Sequence, residues 1–335
     1  VLACTRAIIY HTHTTCKMST FSCTDDESNN NDEDFLTLYV DYMSQPSRAC
    51  AMFVRYEFRG VRLISFLFTP YARAMNCTRI SLSLRNSRNA TVYMYRIVNL
   101  PVKIELVKLH KREHKSEPFL RVNKFGQVPA LCVERQKGKF VLSESSAILK
   151  YLSEKYPSIV SESKMYSDDL REKAKIWSAL DWYQTTIRSS AAGVSWHAFV
   201  AGNMGGKVSL ELAKHYEERL KMSLDVLETL RLGDTFPFLN EREHPSIADL
   251  LVIEDIVNLV VLKGSPFREE LSSLDQLLAE RPRVRKWRDA VMRINKPIWD
   301  EIHGVLEMVA ENASKKIDSE SRRRRFDDVA SMSRL

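Results

Sequence analysis

The sequence predicts an α/β domain over residues 35–156 followed by an all-helical domain over 169–313. Up to residue 156, apolar runs and helical segments follow in the order strand–helix–strand–helix–strand–strand–helix, the alternation of a small α/β unit. From Asp169 onward apolar residues recur at helical spacing. One helix of this second half is capped and apolar nearly all round, as the buried centre of a helical domain must be.

The bounds agree with two domains. The chain has 335 residues, 44% hydrophobic and 28% charged, which are ordinary globular values. No run of 18 or more apolar residues reads as a membrane span. There is no Gly-x-Gly-x-x-Gly or Walker loop, so a nucleotide fold has no support. The net charge of +7 owes four charges to Arg322-Arg-Arg-Arg325, which reads as a nuclear signal or a solvated run. No basic helix with base-reading spacing argues for nucleic acid. The six cysteines form no Cys-x-x-Cys pair and no zinc spacing with histidine. Cys50 and Cys132 fall in apolar runs, as core residues of a protein in a reducing compartment do.

Residues 1–34 read as a disordered extension. Ser22 to Asp34 is rich in Ser, Asn, Asp and Glu and nearly free of apolar residues. The segment lacks the regions of a signal peptide. Val1 opens the chain, which suits a fragment or an upstream read-through, and Met18 is a candidate start. Phe35 to Val40 is the first strand and Ala49 to Phe58 the first helix. Between them lies Tyr42-Met-Ser-Gln-Pro-Ser-Arg-Ala49. Pro46 suits the first helical turn, where a backbone N–H is unpaired anyway. Ser44 then stands at the positive end of a helix dipole, a place for an anion such as a thiolate. The plainer reading of Ser44 is an N-cap.

Residues 61–100 are irregular: apolar to Phe68, then a mixture of Asn, Arg, Ser and Tyr without period. Two glycosylation patterns there carry little weight without a secretory signal. Val102 to Leu109 alternates as a strand, and Lys111 to Leu120 reads as a loop with a short helix. Ala130 to Val133 and Phe140 to Leu142 make a hairpin about the turn Gln136-Lys-Gly138. Ser143 to Leu152 is a helix with Ser and Glu at its start. After a polar linker, 158–168, come helices over Asp169–Ser190 and Val208–Leu232. Ser246-Ile-Ala-Asp249 is a capping box opening the apolar helix to Leu262. Pro282 and Pro297 each start a further helix, and 314–335 reads as a disordered charged tail.

These motifs together resemble the glutathione transferases, and among them the theta class in its plant form. The residues that carry the likeness are Ser44-Gln-Pro-Ser-Arg-Ala49, Gln127-Val-Pro-Ala-Leu131, Ser143-Glu-Ser145, Leu180 to Arg188, His244 to Leu250 and Pro297 to His303. The resemblance covers roughly 35–58 and 101–313. It implies a thioredoxin-like glutathione-binding domain at 35–156 and a helical substrate-binding domain at 169–313. Ser44 resembles the catalytic serine that donates a hydrogen bond to the glutathione sulfur. A free thiol has a pKa of about 8.5, and a bond to its charged form favours the thiolate. Gln45, His114, Lys115, Gln127, Val128, Glu144 and Ser145 match the glutathione-binding positions. Val128 would pair its backbone with the cysteinyl unit beside a cis Pro129. Glu144 and Ser145 would take the γ-glutamyl end at a helix N-terminus. Gln127 departs from the lysine common at the glycyl end, which implies weaker binding. Arg188, Trp182 and Tyr183 match the electrophile pocket; a solvated helix arginine is the plainer reading of Arg188.

The implied activity is conjugation of glutathione, a co-substrate, to hydrophobic electrophiles, with reduction of organic hydroperoxides beside it. The resemblance implies a homodimer and no metal or prosthetic group. Ser333-Arg334-Leu335 resembles the Ser-Lys-Leu address read by the peroxisomal import receptor, which sets the expected location as peroxisome or cytoplasm, with the nucleus as a further option. Eighty-four positions separate Ser44 from Val128, about twice the theta span, and the surplus of about 40 residues lies in 61–100. A retained intron or gene-model error accounts for it; a real insert would cost little as a loop. The alternative to the enzyme is a non-catalytic ligand-binding protein or a paralogue disabled by the insert. A cysteine-based thiol oxidoreductase is disfavoured because Ser44 holds the active-turn position.

Overall fold

The computed structural model describes residues 34–55, 57–62, 93–97, 100–135, 138–296 and 298–332; at 57–62, 93–97, 159, 161–162 and 321–332 the backbone alone is described. The N-terminal half is a four-stranded sheet in the order β4-β1-β5-β6, built from Phe35–Val40 (β1), Val102–Leu106 (β4), Ala130–Arg135 (β5) and Gly138–Leu142 (β6). β4 runs parallel to β1, and β5 and β6 are antiparallel neighbours. β1 is central because Leu36, Leu38 and Val40 are fully enclosed. Helices Gln45–Val54 (α1), Glu117–Val122 (α2) and Ser145–Lys155 (α3) complete this thioredoxin-like half.

The first helix ends at Val54 rather than Phe58, and a strand, Glu57–Arg62 (β2), leads into the stretch read as irregular, where it pairs antiparallel with Tyr93–Ile97 (β3) in a separate two-stranded sheet. Residues 63–92 and 98–99 of that stretch lie outside the described residues, as do residues 1–33 of the N-terminal extension and the Ser333-Arg334-Leu335 motif. Where the chain returns, the Leu100 N–H donates to the Val54 carbonyl at 3.1 Å, and both residues are buried. The two ends of the excursion therefore meet at the C-terminal end of α1, so its length adds little to the cost of closing the fold.

From Pro157 onward the structure is helical. The segment read as a polar linker contains Pro157–Ser163 (α4), held down by buried Val160, Met165 and Tyr166. Leu170–Thr185 (α5) and Ile187–Ser195 (α6) are separated by a break at Thr186, where φ is −114° and ψ −87°. A π-turn, Trp196–Val200, carries α6 into Ala201–Asn203 (α7). Then come Leu210–Val226 (α8), Ile247–Val257 (α9), Leu274–Ala279 (α10), Pro282–Ile294 (α11) and Ile298–Met332 (α12).

All eleven residues of α9 are buried, and its capping box from Ser246 to Asp249 is formed. Asp249 also accepts the Trp287 indole N–H at 2.8 Å, so a buried carboxylate ties the helix start to α11. α12 runs well past the end expected near Val309 and through most of the segment read as a disordered tail. Ala310 is buried just before that segment, Arg268 bonds Asp318 within it at 2.6 Å, and Gly264 lets the helix pass closely. A Cβ on Gly264 would lie 2.4 Å from that of Ala313. Among the described residues no helix is long and apolar enough to cross a membrane.

Candidate functional site

The turn after β1 is shaped by one carboxylate. Asp41 accepts the Met43 N–H at 2.7 Å and the Leu109 N–H at 2.8 Å, while the Ser44 N–H donates to the Asp41 carbonyl at 2.9 Å. Ser44 is the N-cap of α1 with extended backbone, yet its side chain makes no capping bond. Its hydroxyl is thus left to act on something outside the helix.

Ser44 opens onto a cavity of about 580 Å³ between the sheet ends and the helical half. His114, Lys115, Gln127, Val128, Glu144 and Ser145 line it from the α/β side, and Tyr183 and Arg188 from the helical side. The Val128–Pro129 bond is cis. Leu109, Gln184 and Trp196 line it too, and sequence reasoning did not single them out. Trp196 is the first residue of the π-turn, and no periodic pattern in the sequence signals its place on the wall. Gln45 and Trp182 are not on the cavity wall. Trp182 packs against the core and under the Arg231 guanidinium, 5.0 Å from its ring centre. Adjacent side chains on α5 point about 100° apart, so with Tyr183 on the cavity wall Trp182 faces elsewhere.

Glu144 is held at φ 68°, ψ 114°, an unusual conformation for a non-glycine residue, of the kind that gathers at binding sites. It precedes α3, whose first N–H groups and dipole favour an anion. Gly126 has φ 59°, and a Cβ there would come 2.9 Å from the His114 carbonyl, so only glycine lets the two loops meet. His114 has its Nδ1 buried without a protein partner. Burial, followed by the positive Lys115 and Arg112, pulls its pKa down, so it is a neutral hydrogen-bonding ring at neutral pH.

On the helical side Asp255, fully buried in α9, accepts the Tyr183 hydroxyl and the Arg188 Nη1–H, the latter at 2.7 Å. Burial raises the Asp255 pKa, opposed by Arg188. Burial works against the Arg188 charge, but Asp255 outweighs it and the arginine pKa is raised. Cys50 is fully enclosed and its thiol is pushed up by burial, far from a usable nucleophile.

Residues 81–154 match the family model "Glutathione S-transferase, N-terminal domain". Glutathione S-transferase T1 of Arabidopsis thaliana is 34% identical over 63% of this chain and 81% of its own. T3 of the same plant is also 34% identical over 63% of this chain, which spans only 34% of that longer protein. The crystal structure of human glutathione transferase theta-2, in complex with glutathione and an unknown ligand, superposes with a TM-score of 0.60 at 28% identity. It covers 84% of this chain and 91% of the human one. Sequence, fold and the cavity between the two halves agree, and the chain belongs to the theta-class glutathione S-transferases.

Proposed function

We propose that this chain conjugates glutathione to hydrophobic electrophiles and reduces organic hydroperoxides, with the Ser44 hydroxyl holding the sulfur as a thiolate. The observation that carries the reading is the Ser44 side chain: uncapped, at the start of α1, and on the wall of the same cavity as Val128, Glu144 and Arg188. Serine suits the task because it donates a hydrogen bond without ionising itself. Glutathione would lie along the α/β side, its γ-glutamyl carboxylate at the start of α3 and its amine beside Glu144. Val128 would take the cysteinyl backbone, and Lys115, Gln127 and neutral His114 the glycyl end.

In conjugation the thiolate attacks the electrophilic carbon and expels the leaving group with its electron pair. In peroxide reduction it attacks the terminal oxygen, breaking the O–O bond; the alkoxide takes a proton to become alcohol. A second glutathione then displaces water from the sulfenic acid and closes the disulfide. Purified protein with glutathione and cumene hydroperoxide should consume peroxide and form glutathione disulfide. No turnover with this or with 1-chloro-2,4-dinitrobenzene would leave a ligand-binding protein instead. A homodimer and a peroxisomal address at Ser333-Arg334-Leu335 belong to the same reading and rest on the family likeness.

The glycyl end gives a second test. Gln127 is exposed on the cavity rim, where its backbone carbonyl accepts from the Asn123 side-chain amide at 2.8 Å. Gln127→Lys would add a charge-assisted bond, and the glutathione KM is expected to fall by roughly three- to tenfold with kcat unchanged. An unchanged KM would mean that the glycyl carboxylate does not reach this side chain.

A further inference from the structure

We propose that Asp255, buried in α9, is a positioning residue that fixes the Arg188 guanidinium in the cavity and thereby sets affinity for the electrophile. The inference rests on the transferase reading above and deepens it.

The argument begins with the break between α5 and α6. On an unbroken α-helix, residues five apart point about 140° away from each other. Tyr183 and Arg188 are five apart, yet both bond the same carboxylate. The break at Thr186 brings them together, and Asp255 is what they meet on. Its side chain is wholly enclosed, while that of Arg188 is 31% exposed. The arginine is therefore anchored at its inner nitrogen, Nη1, and presents the rest of its fork to the cavity. A fork held at one nitrogen has few orientations left, so little freedom is lost when it bonds a substrate oxygen.

The neighbour of Asp255 gives this placement its significance. Glu254 braces Arg48 of α1, and Arg48 in turn donates to the Tyr42 carbonyl at 2.8 Å, two residues before Ser44. Consecutive side chains on α9 point about 100° apart. One holds the turn that carries the serine, the other the arginine across the cavity. The separation between the thiolate site and the electrophile's anchor is thus set by one rigid, fully buried helix.

The test compares wild type, Asp255→Asn, Arg188→Gln, Arg188→Lys and the Asp255→Asn/Arg188→Gln pair. Each is assayed with glutathione and whichever of cumene hydroperoxide or 1-chloro-2,4-dinitrobenzene the wild type turns over. Asp255→Asn should raise the electrophile KM about tenfold and the glutathione KM less than twofold. It should have no further effect once Arg188 is Gln. Arg188→Lys keeps the charge without the fork and should resemble Arg188→Gln; this variant decides the matter even where Asp255→Asn folds poorly. An Asp255→Asn penalty that persists in full without Arg188, or that falls on both KM values alike, overturns the proposal. So does an Arg188→Lys enzyme that matches wild type. Absence of any glutathione-dependent turnover in the wild type overturns the transferase reading itself, and this inference with it.

Discussion

Ser44→Ala is expected to lower kcat with glutathione by roughly 10- to 100-fold at neutral pH, with little change in the melting temperature. A hydrogen bond to a charged group is worth about 1.5–3 kcal/mol. At about 1.4 kcal/mol per pKa unit, its loss moves the bound thiol up by about one to two units. The thiolate fraction at neutral pH falls by the same factor. Stability should be spared because the Ser44 side chain caps nothing; a working N-cap would lose about 1 kcal/mol. Two measurements separate the readings: thiolate absorbance of bound glutathione against pH, and thermal unfolding of both proteins. A lowered melting temperature with an unmoved thiol titration would return Ser44 to the role of a cap.

The second large effect is on stability. Glu254→Ala should cost about 3–5 kcal/mol, read from urea unfolding. That is a large share of the roughly 5–15 kcal/mol that holds a typical domain together. Arg48 and Glu254 both have side chains at 0% exposure, and the arginine bonds the Glu254 carboxylate, its carbonyl at 3.3 Å and Asn258 at 3.1 Å. His303 adds its Nε2 at 3.1 Å from the carboxylate, while its Nδ1 faces the Trp299 carbonyl at 2.9 Å. Removing the acid would leave the arginine enclosed without its anion. The bidentate Arg55–Glu301 pair, with side chains 31% and 57% exposed, is a useful contrast. Breaking it should cost no more than about 1 kcal/mol. A Glu254→Ala loss of that small size would show that the buried network contributes no more than a surface pair.

The pH dependence of that loss has a definite sign. Burial alone would raise the Glu254 pKa, but His303 and Arg48 outweigh it and the folded value is lowered. A lowered acid contributes stability that is present above its unfolded pKa of about 4.3 and fades as pH falls through the folded value. The gap between wild type and Glu254→Gln should therefore be full at neutral pH and shrink only in the acid range. Asp249 and Asp255, raised chiefly by burial, act in the opposite sense, but they are common to both proteins and drop out of the difference.

The sequence by itself determined the two-part architecture, the hairpin of β5 and β6, the capped and buried α9, and the turn at Ser44. Each is written within about ten residues, as a period, a cap or a proline, and such signals do not depend on distant partners. Tertiary structure decided the rest. Arg48 and Glu254 are 206 positions apart, and Arg188 and Asp255 are 67 apart, so nothing local marks them as partners. Glu254 and Asp255 lie in a helix whose apolar character alone predicted burial; only the fold shows that two arginines come to meet them. The packing of the helices decided which aromatic side chains face the cavity, with Tyr183 and Trp196 on its wall and Trp182 away from it. The last helix followed the same rule. Its charges read as a solvated tail one residue at a time, while Gly264 and Arg268, which meet it at Ala313 and Asp318, are contacts that exist only after the chain has folded.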